Sequence, residues 1–259
     1  MSEDEFSLQL LFSAINNASG FDWGDFENAL GYFNFSKKLP RRSKEAQEKD
    51  EDQDIWGYLH AVDMISNLMI QSTNRWQDFF RDWIKSVERK LECEKYQPIP
   101  NLLDLFNEQD NLYLTFNYTK VLQRIYGINN VIHIHNRVGQ KLIFGHGDDK
   151  ATYKETIEDG GLGSSFLNDL LKSFRKDNVS PMRKYSDFFR KLNGNVDTVY
   201  SYGFGYSKAD AIYIKTIIDK IAADSIWHFT EYEANDKEQL RKKKVKLRKY
   251  GFRGTFGVF

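Results

Sequence analysis

The sequence predicts an α/β protein with a largely parallel sheet, a helical N-terminal region and helical insertions. Two observations indicate this class. Apolar residues recur at helical spacing through most of residues 5–91, whereas short apolar runs alternate with helical stretches from residue 112 onward. Because alternating strands and helices form right-handed crossovers in parallel sheets, we expect a sheet core in residues 112–259. We expect a single domain spanning residues 1–259, since this length supports one large core.

The N-terminal region predicts helices separated by one charged loop. The first helix covers residues 5–17, whose apolar positions are spaced by three and four: Leu8, Leu11, Phe12 and Ile15. A second helix follows Asp22, which is a residue type that accepts hydrogen bonds at helix starts. Residues 37–54 have almost no apolar side chains and change from basic to acidic, so we expect a mobile surface loop there.

Residues 55–91 carry the strongest helical signal in the chain. Apolar residues recur at intervals of three and four on both sides of the polar stretch of residues 71–74. The pattern predicts either two long helices or one helix with a break at that stretch. We expect the aromatic stripe that includes Trp76, Phe80 and Trp83 to be core, because large aromatic side chains are usually buried.

The sheet core begins with an apolar run that ends at a polar residue, Asn117. Later runs rich in β-branched and aromatic residues predict further strands, and the segments between them predict helices. A helical insertion is expected at residues 164–192, and residues 241–249 predict a basic helix. The predicted strands are residues 112–116, 131–135, 141–145, 196–205, 225–232 and 254–259, and the helices that begin near strand ends are residues 117–127 and 207–221.

The composition excludes several kinds of partner and setting. Lys plus Arg and Asp plus Glu both total 37, so no global field favours nucleic acid or an acidic membrane. The single cysteine, Cys93, forms neither an internal disulfide nor a cysteine metal cage, which fits a reducing cytoplasm. No apolar run reaches the roughly 18 to 20 residues of a membrane span, and the acidic start is unlike a secretory signal.

Two residue types near strand ends are candidates for chemistry. Asn117 stands where a strand gives way to a helix, and its amide either binds a ribose hydroxyl or a water, or caps the helix. His133 and His135 are two apart on one predicted strand, so we expect them to project from the same face. With His146 they form a zinc-site alternative that lacks a partner carboxylate, and we expect no metal. His135 is the better general-base candidate, because imidazole titrates near neutral pH.

The run of residues 203–207 is the other candidate site. Gly203 and Gly205 follow a strand, where glycine lets the backbone approach a ligand and the next helix presents free N–H groups to phosphate. The same segment also resembles a capping box, with Ser207 at the helix start and Asp210 three residues later. The basic helix near the C-terminus is either a solvated face or a phosphate-binding surface, and we expect the solvated face.

Several motifs occur in order and resemble the AbiH family of bacterial phage abortive-infection proteins, over about residues 21–259. They are LTFNYTKVLQRIYGI, VIHIHNRVG, LIFGHGDD, VYSYGFGYSKADAIY, IWHF and LRKYGFRGTF. The resemblance implies a cytoplasmic defence protein that limits phage spread at the cost of the infected cell.

A looser resemblance links the sheet core to sirtuin-like NAD-binding folds and implies a Rossmann-like arrangement. By this resemblance Asn117 positions a water or ribose, His135 acts as general base, and Ser207 binds the cofactor. The expected cofactor-binding set is Thr115, Gly203, Gly205, Ser207, Asp210 and His146. Thr119 and Asn136 depart from the sirtuin pattern, which has an acid and a glycine there, and one cysteine excludes the zinc ribbon of deacetylases.

Two functional hypotheses follow from these resemblances. The first is a hydrolase of NAD or a related nucleotide that depletes the cofactor on infection. The second is a non-catalytic sensor or interaction protein that recognises a nucleotide or a phage-derived trigger. Members of the family usually begin with a strand ending in Gly-Asn-Gly-Phe-Asp, whereas this chain begins with a predicted helix, which favours the second hypothesis. We expect no membrane partner, and we consider a homo-oligomer compatible with both hypotheses.

Overall fold

A computed structural model of the chain describes residues 3–16, 27, 29–31, 52–106, 110–147 and 164–259. The predicted second helix and the predicted loop of residues 37–54 lie largely outside these residues. The chain divides into two compact units. Unit 1 comprises Met1–Asp82 and Gly145–Arg175, and unit 2 comprises Trp83–Phe144 and Lys176–Phe259.

The helices and strands follow one another in the order that the alternating pattern predicts for the C-terminal half. The helices are α1 Glu3–Asn16, α2 Asp52–Cys93, α3 Pro100–Phe106, α4 Val121–Tyr126, α5 Ser164–Ser173, α6 Val179–Lys184, α7 Ser186–Lys191, α8 Ala211–Lys220, α9 Glu231–Asn235 and α10 Lys237–Lys249. The strands are β1 Tyr113–Thr115, β2 Val131–His133, β3 Thr198–Ser201, β4 Ile226–Phe229 and β5 Thr255–Val258, and a 3₁₀ turn Lys208–Asp210 precedes α8.

Unit 1 packs α1 against the first part of α2. The Ser7 hydroxyl donates to the Ser72 carbonyl at 2.9 Å, and the Trp76 indole donates to the Ser7 carbonyl at 3.2 Å. The polar stretch of residues 71–74 therefore lies inside one continuous helix, and the predicted break is wrong. The Thr73 hydroxyl donates to the Ile70 carbonyl one turn back, so a polar side chain is accommodated there without ending the helix.

The buried side of each N-terminal helix differs from the apolar stripe read from the sequence. In α1, Leu10 and Ala14 are buried, whereas Leu8 and Phe12 are 41% and 59% exposed. In α2, Trp76 and Phe80 are buried as predicted, but Trp83 is 54% exposed. Apolar spacing identifies the helices, but hydrogen bonds such as the one between Ser7 and Ser72 settle which side of α1 faces its partner.

Unit 2 contains two parallel sheets. Strands β1 and β2 pair in parallel, with Thr115 opposite His133. Strands β3, β4 and β5 form a second parallel sheet in that order, and Ser201, Phe229 and Val258 lie in one row across it. The mixed α/β class and the parallel strand pairing are therefore confirmed, but among the described residues the strands form two short sheets and not the one sheet that was predicted.

Two apolar clusters connect these sheets to the helices of unit 2. The first contains Tyr206, Ile214, Ile221, Trp227, Phe229, Leu247 and Phe252. The second contains Ile134, Phe188, Phe189, Leu192 and Tyr213. Phe116, Val196 and Ile217 pack against both clusters, so side chains from the end of β1 and from helix α8 hold the two sheets near each other.

Two predicted elements are wrong in detail. Residues 141–145 form no strand, because the Ile143 N–H donates to the His135 carbonyl and the Ile143 carbonyl accepts from the Tyr118 hydroxyl. The helix predicted from residue 117 begins only at Val121. The last turns of α2 fix the start of α4. The Glu88 carboxylate accepts hydrogen bonds from the Lys120 N–H at 2.9 Å and from the Arg124 side chain at 2.7 Å.

Among the described helices, none combines the length and the apolar character that crossing a membrane requires.

Candidate functional site

The ends of three parallel strands of unit 2 come together around two aromatic rings. Phe116 follows β1 and Phe204 follows β3, and the centroids of their rings are 4.2 Å apart. The Phe116 ring also meets the edge of the His135 ring, which follows β2, with centroids 5.4 Å apart. The candidate segments that follow β1, β2 and β3 are therefore neighbours in unit 2. The carboxyl ends of parallel strands are where α/β proteins bind ligands.

Asp210 is the centre of the site. The His135 Nε2 and the Lys176 Nζ each lie 3.0 Å from its Oδ1, and the Ser207 hydroxyl donates to its Oδ2 at 3.0 Å. The carboxylate is buried, so each of these groups meets it away from bulk water. Burial alone raises the pKa of a carboxyl, but contact with His135 and the charge of Lys176 hold the pKa of Asp210 well below its usual range. Asp210 is therefore a charged carboxylate that contacts His135, Lys176 and Ser207 at once.

His135 is the imidazole of this site, and aromatic rings enclose it. The rings of Tyr118 and Tyr213 lie 5.9 and 5.8 Å from it, centroid to centroid. Its Nε2 lies 3.0 Å from the Asp210 Oδ1, but the ring N–H is not in line with the carboxylate oxygen, so the contact has poor hydrogen-bond geometry. Burial and the nearby Lys176 lower the pKa of His135, although Asp210 acts in the opposite direction. The lowered pKa favours the uncharged form of the imidazole.

Lys176 is the member of the site that sequence reasoning missed. It lies in the segment between α5 and α6, and its side chain is fully buried. Its neighbours in the sequence are Arg175 and Asp177, so the local pattern is typical of an exposed charged loop. No periodicity or motif marks such a lysine, because its burial depends on a carboxylate 34 residues later in the chain.

Asn117 is placed at the end of β1 with an exposed side chain. Its N–H donates to the Thr115 hydroxyl at 3.1 Å, and its carbonyl meets the His133 Nδ1 at 2.9 Å. The helix-capping alternative is wrong, because α4 begins four residues later and has no side-chain cap. The amide is therefore held by its own backbone contacts and presented to solvent.

The buried side chains of Thr115 and His133 hold the backbone at the end of β1 by hydrogen bonds. Thr115 is buried and accepts from the Asn117 backbone, so its hydroxyl fixes the turn after β1. His133 lies between the Asn117 carbonyl and the Gln123 side chain, 2.8 Å from the amide nitrogen. Strand β2 ends at His133, so the strand alternation that would set His133 and His135 on one face does not extend to His135.

His146 belongs to unit 1, where it is buried. Its N–H donates to the Phe174 carbonyl and its Nε2 meets the Leu171 carbonyl, both at 2.9 Å. Gly31 lies against the ring, and a Cβ at that glycine would come within 3.0 Å of it. Across the part of the chain that the structure describes, no group of three His, Cys, Asp or Glu side chains is arranged to hold a metal ion.

The segment of residues 203–207 forms a turn with open space around its glycines. Gly203 has a φ of 60°, and a Cβ at Gly203 or Gly205 would have no atom of the other described residues within 4 Å, apart from the adjacent residues of the chain. The Gly205 carbonyl accepts from the Lys246 ammonium at 3.0 Å. The capping-box alternative for Ser207 is wrong, because its hydroxyl donates to the Asp210 carboxylate and does not cap the helix start.

Tyr206 anchors this turn in the core. Its hydroxyl donates to the Ser201 hydroxyl at 2.6 Å and accepts from the Trp227 indole at 2.9 Å. Its φ of 53° is rare for a residue with a large side chain, and the surrounding contacts hold it there. Burial raises the pKa of the Tyr206 phenol, so it remains a neutral hydrogen-bonding group.

Comparison with known protein families identifies the family of the chain. A family model described as bacteriophage abortive infection AbiH matches residues 4–232. No curated protein and no solved structure matches the chain. Because the family model covers most of the 259 residues, the chain belongs to the AbiH family of bacteriophage abortive-infection proteins.

Proposed function

We propose that this chain acts in phage abortive infection by binding and hydrolysing NAD or a related nucleotide in the cytoplasm. The observation that carries the proposal is the meeting of His135 and Ser207 on the buried carboxylate of Asp210, beside the ends of parallel strands. In this proposal the core is Rossmann-like and resembles sirtuin-like NAD-binding domains, and a phage-derived signal triggers the activity.

The residues present fit a nucleotide. Gly203 and Gly205 leave room for a phosphate or ribose, and the exposed amide of Asn117 is a donor and an acceptor at the end of β1. The buried Nε2 of His135, which has no well-aligned hydrogen-bond partner among the described residues, is a polar atom still able to engage a ligand. Thr115 supports Asn117, and Ser207 and Asp210 hold the turn.

The proposed chemistry is hydrolysis of the N-glycosidic bond of the nucleotide. A water held by Asn117 attacks the ribose carbon of the glycosidic bond, and its proton passes to His135. The nucleobase, which is nicotinamide in NAD, leaves with the bonding electron pair. An uncharged imidazole suits the role of general base. The rings of Phe116 and Tyr118 cover His135, so the nucleotide has to displace part of this cover to reach the imidazole.

The test measures by chromatography how fast the purified protein releases nicotinamide from NAD. We expect both Asn117→Ala and His135→Ala to lower the rate. For His135, the general base, the loss should be at least about a hundredfold, as is usual for general-base catalysis. Asn195→Ala and His60→Ala are matched controls, because both residues are exposed and lie outside the site. Equal rates in all five proteins would remove the mechanism.

A second candidate function is non-catalytic recognition of a nucleotide or a phage component. The observation that favours it is the near-complete burial of His135, Lys176 and Asp210, which is also what a purely structural network would show. In this case cells that express His135→Ala would keep protection in a plaque assay. Loss of protection at normal protein levels would instead favour the catalytic function.

A further inference from the structure

The 3₁₀ turn before α8 and the loop before α6 bring one buried cation to the carboxylate that His135 also contacts. The Lys176 Nζ lies 3.0 Å from the same Asp210 oxygen that lies 3.0 Å from the His135 Nε2. Two positively charged neighbours on one oxygen atom would repel each other strongly in a buried site, where screening is weak. Only one of the two groups therefore needs to carry the charge that balances Asp210.

We propose that Lys176 is the positioning residue of this site: its ammonium balances the charge of Asp210 and leaves the imidazole of His135 uncharged and able to accept a proton. The inference rests on the proposed function in one respect, that the free imidazole serves as a base. Its first part, the division of charge between Lys176 and His135, stands on geometry alone.

The placement of Lys176 supports a dedicated role. Taking an ammonium out of water is costly, typically several kcal/mol per ion, and is offset only by a well-placed opposite charge. The loop that carries it is fixed to the same turn by a second contact, because the Asn178 amide donates to the Ala209 carbonyl at 3.0 Å. The loop is therefore held at the 3₁₀ turn that carries Asp210.

The charge balance of the site follows from its members. Asp210 contributes one negative charge and Lys176 one positive charge, the Phe116 backbone hydrogen-bonds to His135, and the aromatic rings of Phe116, Tyr118 and Tyr213 lie around the imidazole. Without Lys176, the buried carboxylate would draw a proton onto the imidazole, since an adjacent opposite charge favours the charged form of histidine. The site would then contain an imidazolium, which cannot act as a base.

The test is a pH titration of the His135 ring signal by NMR on the whole chain. The chain has five histidines, and the His135 signal is assigned by its loss in His135→Gln. We expect Lys176→Met to shift the titration midpoint upward, whereas Lys176→Arg keeps the charge and leaves the midpoint near that of the parent. Lys191→Met is the matched control, because Lys191 is an exposed lysine of the same unit.

A second background keeps the test decisive if Lys176→Met folds poorly. Asp210→Asn removes the carboxylate, and the double variant Lys176→Met/Asp210→Asn has neither charge. The titration midpoint of His135 should be higher in the double variant than in Asp210→Asn. An unchanged midpoint on loss of Lys176 in both backgrounds would overturn the proposal.

The activity measurement separates this inference from the proposed function. If the chain cleaves NAD, the acid limb of its pH profile should move upward in Lys176→Met, together with the NMR midpoint. An NMR shift without any NAD cleavage would support the division of charge and contradict hydrolysis. Cleavage with an unmoved pH profile would instead contradict the role of Lys176.

Discussion

Single residues in the site keep a neutral imidazole next to a charged carboxylate. The pKa of His135 is lowered by burial and by Lys176, and the pKa of Asp210 is lowered by its contacts with His135 and Lys176. Both shifts make the folded state sensitive to acid, because the unfolded chain binds protons more readily than the folded chain at both groups.

The pH dependence of stability should reveal His135 first. Its folded-state pKa lies below the ordinary value of 6.5, so its contribution is present above pH 6.5 and is lost as the pH falls below that value. We expect the free energy of unfolding to fall with decreasing pH in this window, and the fall to be smaller in His135→Gln. Denaturant titrations at a series of pH values between about 5 and 8 measure both slopes. Parallel curves for the two proteins would contradict this prediction.

Gly254 is a position where no side chain fits. A Cβ there would lie 1.9 Å from the Ser225 carbonyl oxygen, which is backbone and accepts a hydrogen bond from the Thr255 N–H. We expect Gly254→Ala to lower the free energy of unfolding by at least about 2 kcal/mol, since strand β5 has to move away from β4. Denaturant unfolding measures the change.

The control for this substitution is Gly57→Ala in α2. Among the residues that the structure describes, no atom outside the adjacent helix backbone lies within 4 Å of a Cβ at Gly57, so the added methyl group meets open space. Alanine inside a helix should stabilise the protein by about 0.5 to 1 kcal/mol relative to glycine. A loss of stability at Gly57 equal to that at Gly254 would show that the effect is not steric.

At the scale of whole elements, α9 begins with a complete capping box. The Thr230 hydroxyl accepts from the Glu233 N–H at 3.1 Å, and the Glu233 carboxylate accepts from the Thr230 N–H at 3.1 Å. Lys243 of α10 donates to the other oxygen of Glu233 at 2.6 Å, so the same carboxylate ties α9 to α10. One short helix start therefore fixes the position of a longer helix.

Removing this cap should cost measurable stability. We expect Thr230→Ala to lower the free energy of unfolding by about 1 kcal/mol, because the Glu233 N–H loses its acceptor. Thr230→Ser keeps the hydroxyl and should remain within about 0.5 kcal/mol of the parent. Thermal unfolding of the three proteins compares them, and equal losses in both variants would exclude the cap as the cause.

At the scale of the whole molecule, the charges balance. Lys plus Arg and Asp plus Glu are both 37, and basic side chains of α10 are already engaged. Lys242 pairs with Glu238 at 2.8 Å, Lys243 with Glu233, and Lys246 with the Gly205 carbonyl. Several basic side chains of this run are therefore engaged in contacts within the protein.

Generic duplex DNA should accordingly bind very weakly. We expect a Kd above about 0.1 mM at about 0.15 M salt, which is the weak end of non-specific binding. Fluorescence anisotropy with a labelled duplex measures it, and Lys244→Glu should give the same result. Tight, salt-dependent binding that Lys244→Glu abolishes would instead make α10 a nucleic-acid surface.

Much of the sheet core could be predicted from the sequence because it depends on local patterns. Each of three strands, Tyr113–Thr115, Val131–His133 and Thr198–Ser201, lies in a short apolar or aromatic run, and a polar residue or a glycine stands two positions after the strand ends: Asn117, His135 and Gly203. The motif that ends in Asn117 and the turn of residues 203–207 could be predicted as candidate sites for the same reason. Residues 141–145 show the limit of this reasoning, since an equally apolar run bonds to the His135 carbonyl and a tyrosine hydroxyl and forms no strand.

The sequence by itself determined the family, the α/β class, the order of the elements and most of the residues that meet at the strand ends. Only the tertiary structure decided which side of α1 is buried, that Lys176 joins Asp210, and that Ser207 bonds to this carboxylate and caps no helix. The physical reason is the range of the interactions. Helical and strand periodicity act between near neighbours in the chain, whereas burying a lysine is favourable only after folding has brought a distant carboxylate within 3.0 Å of it.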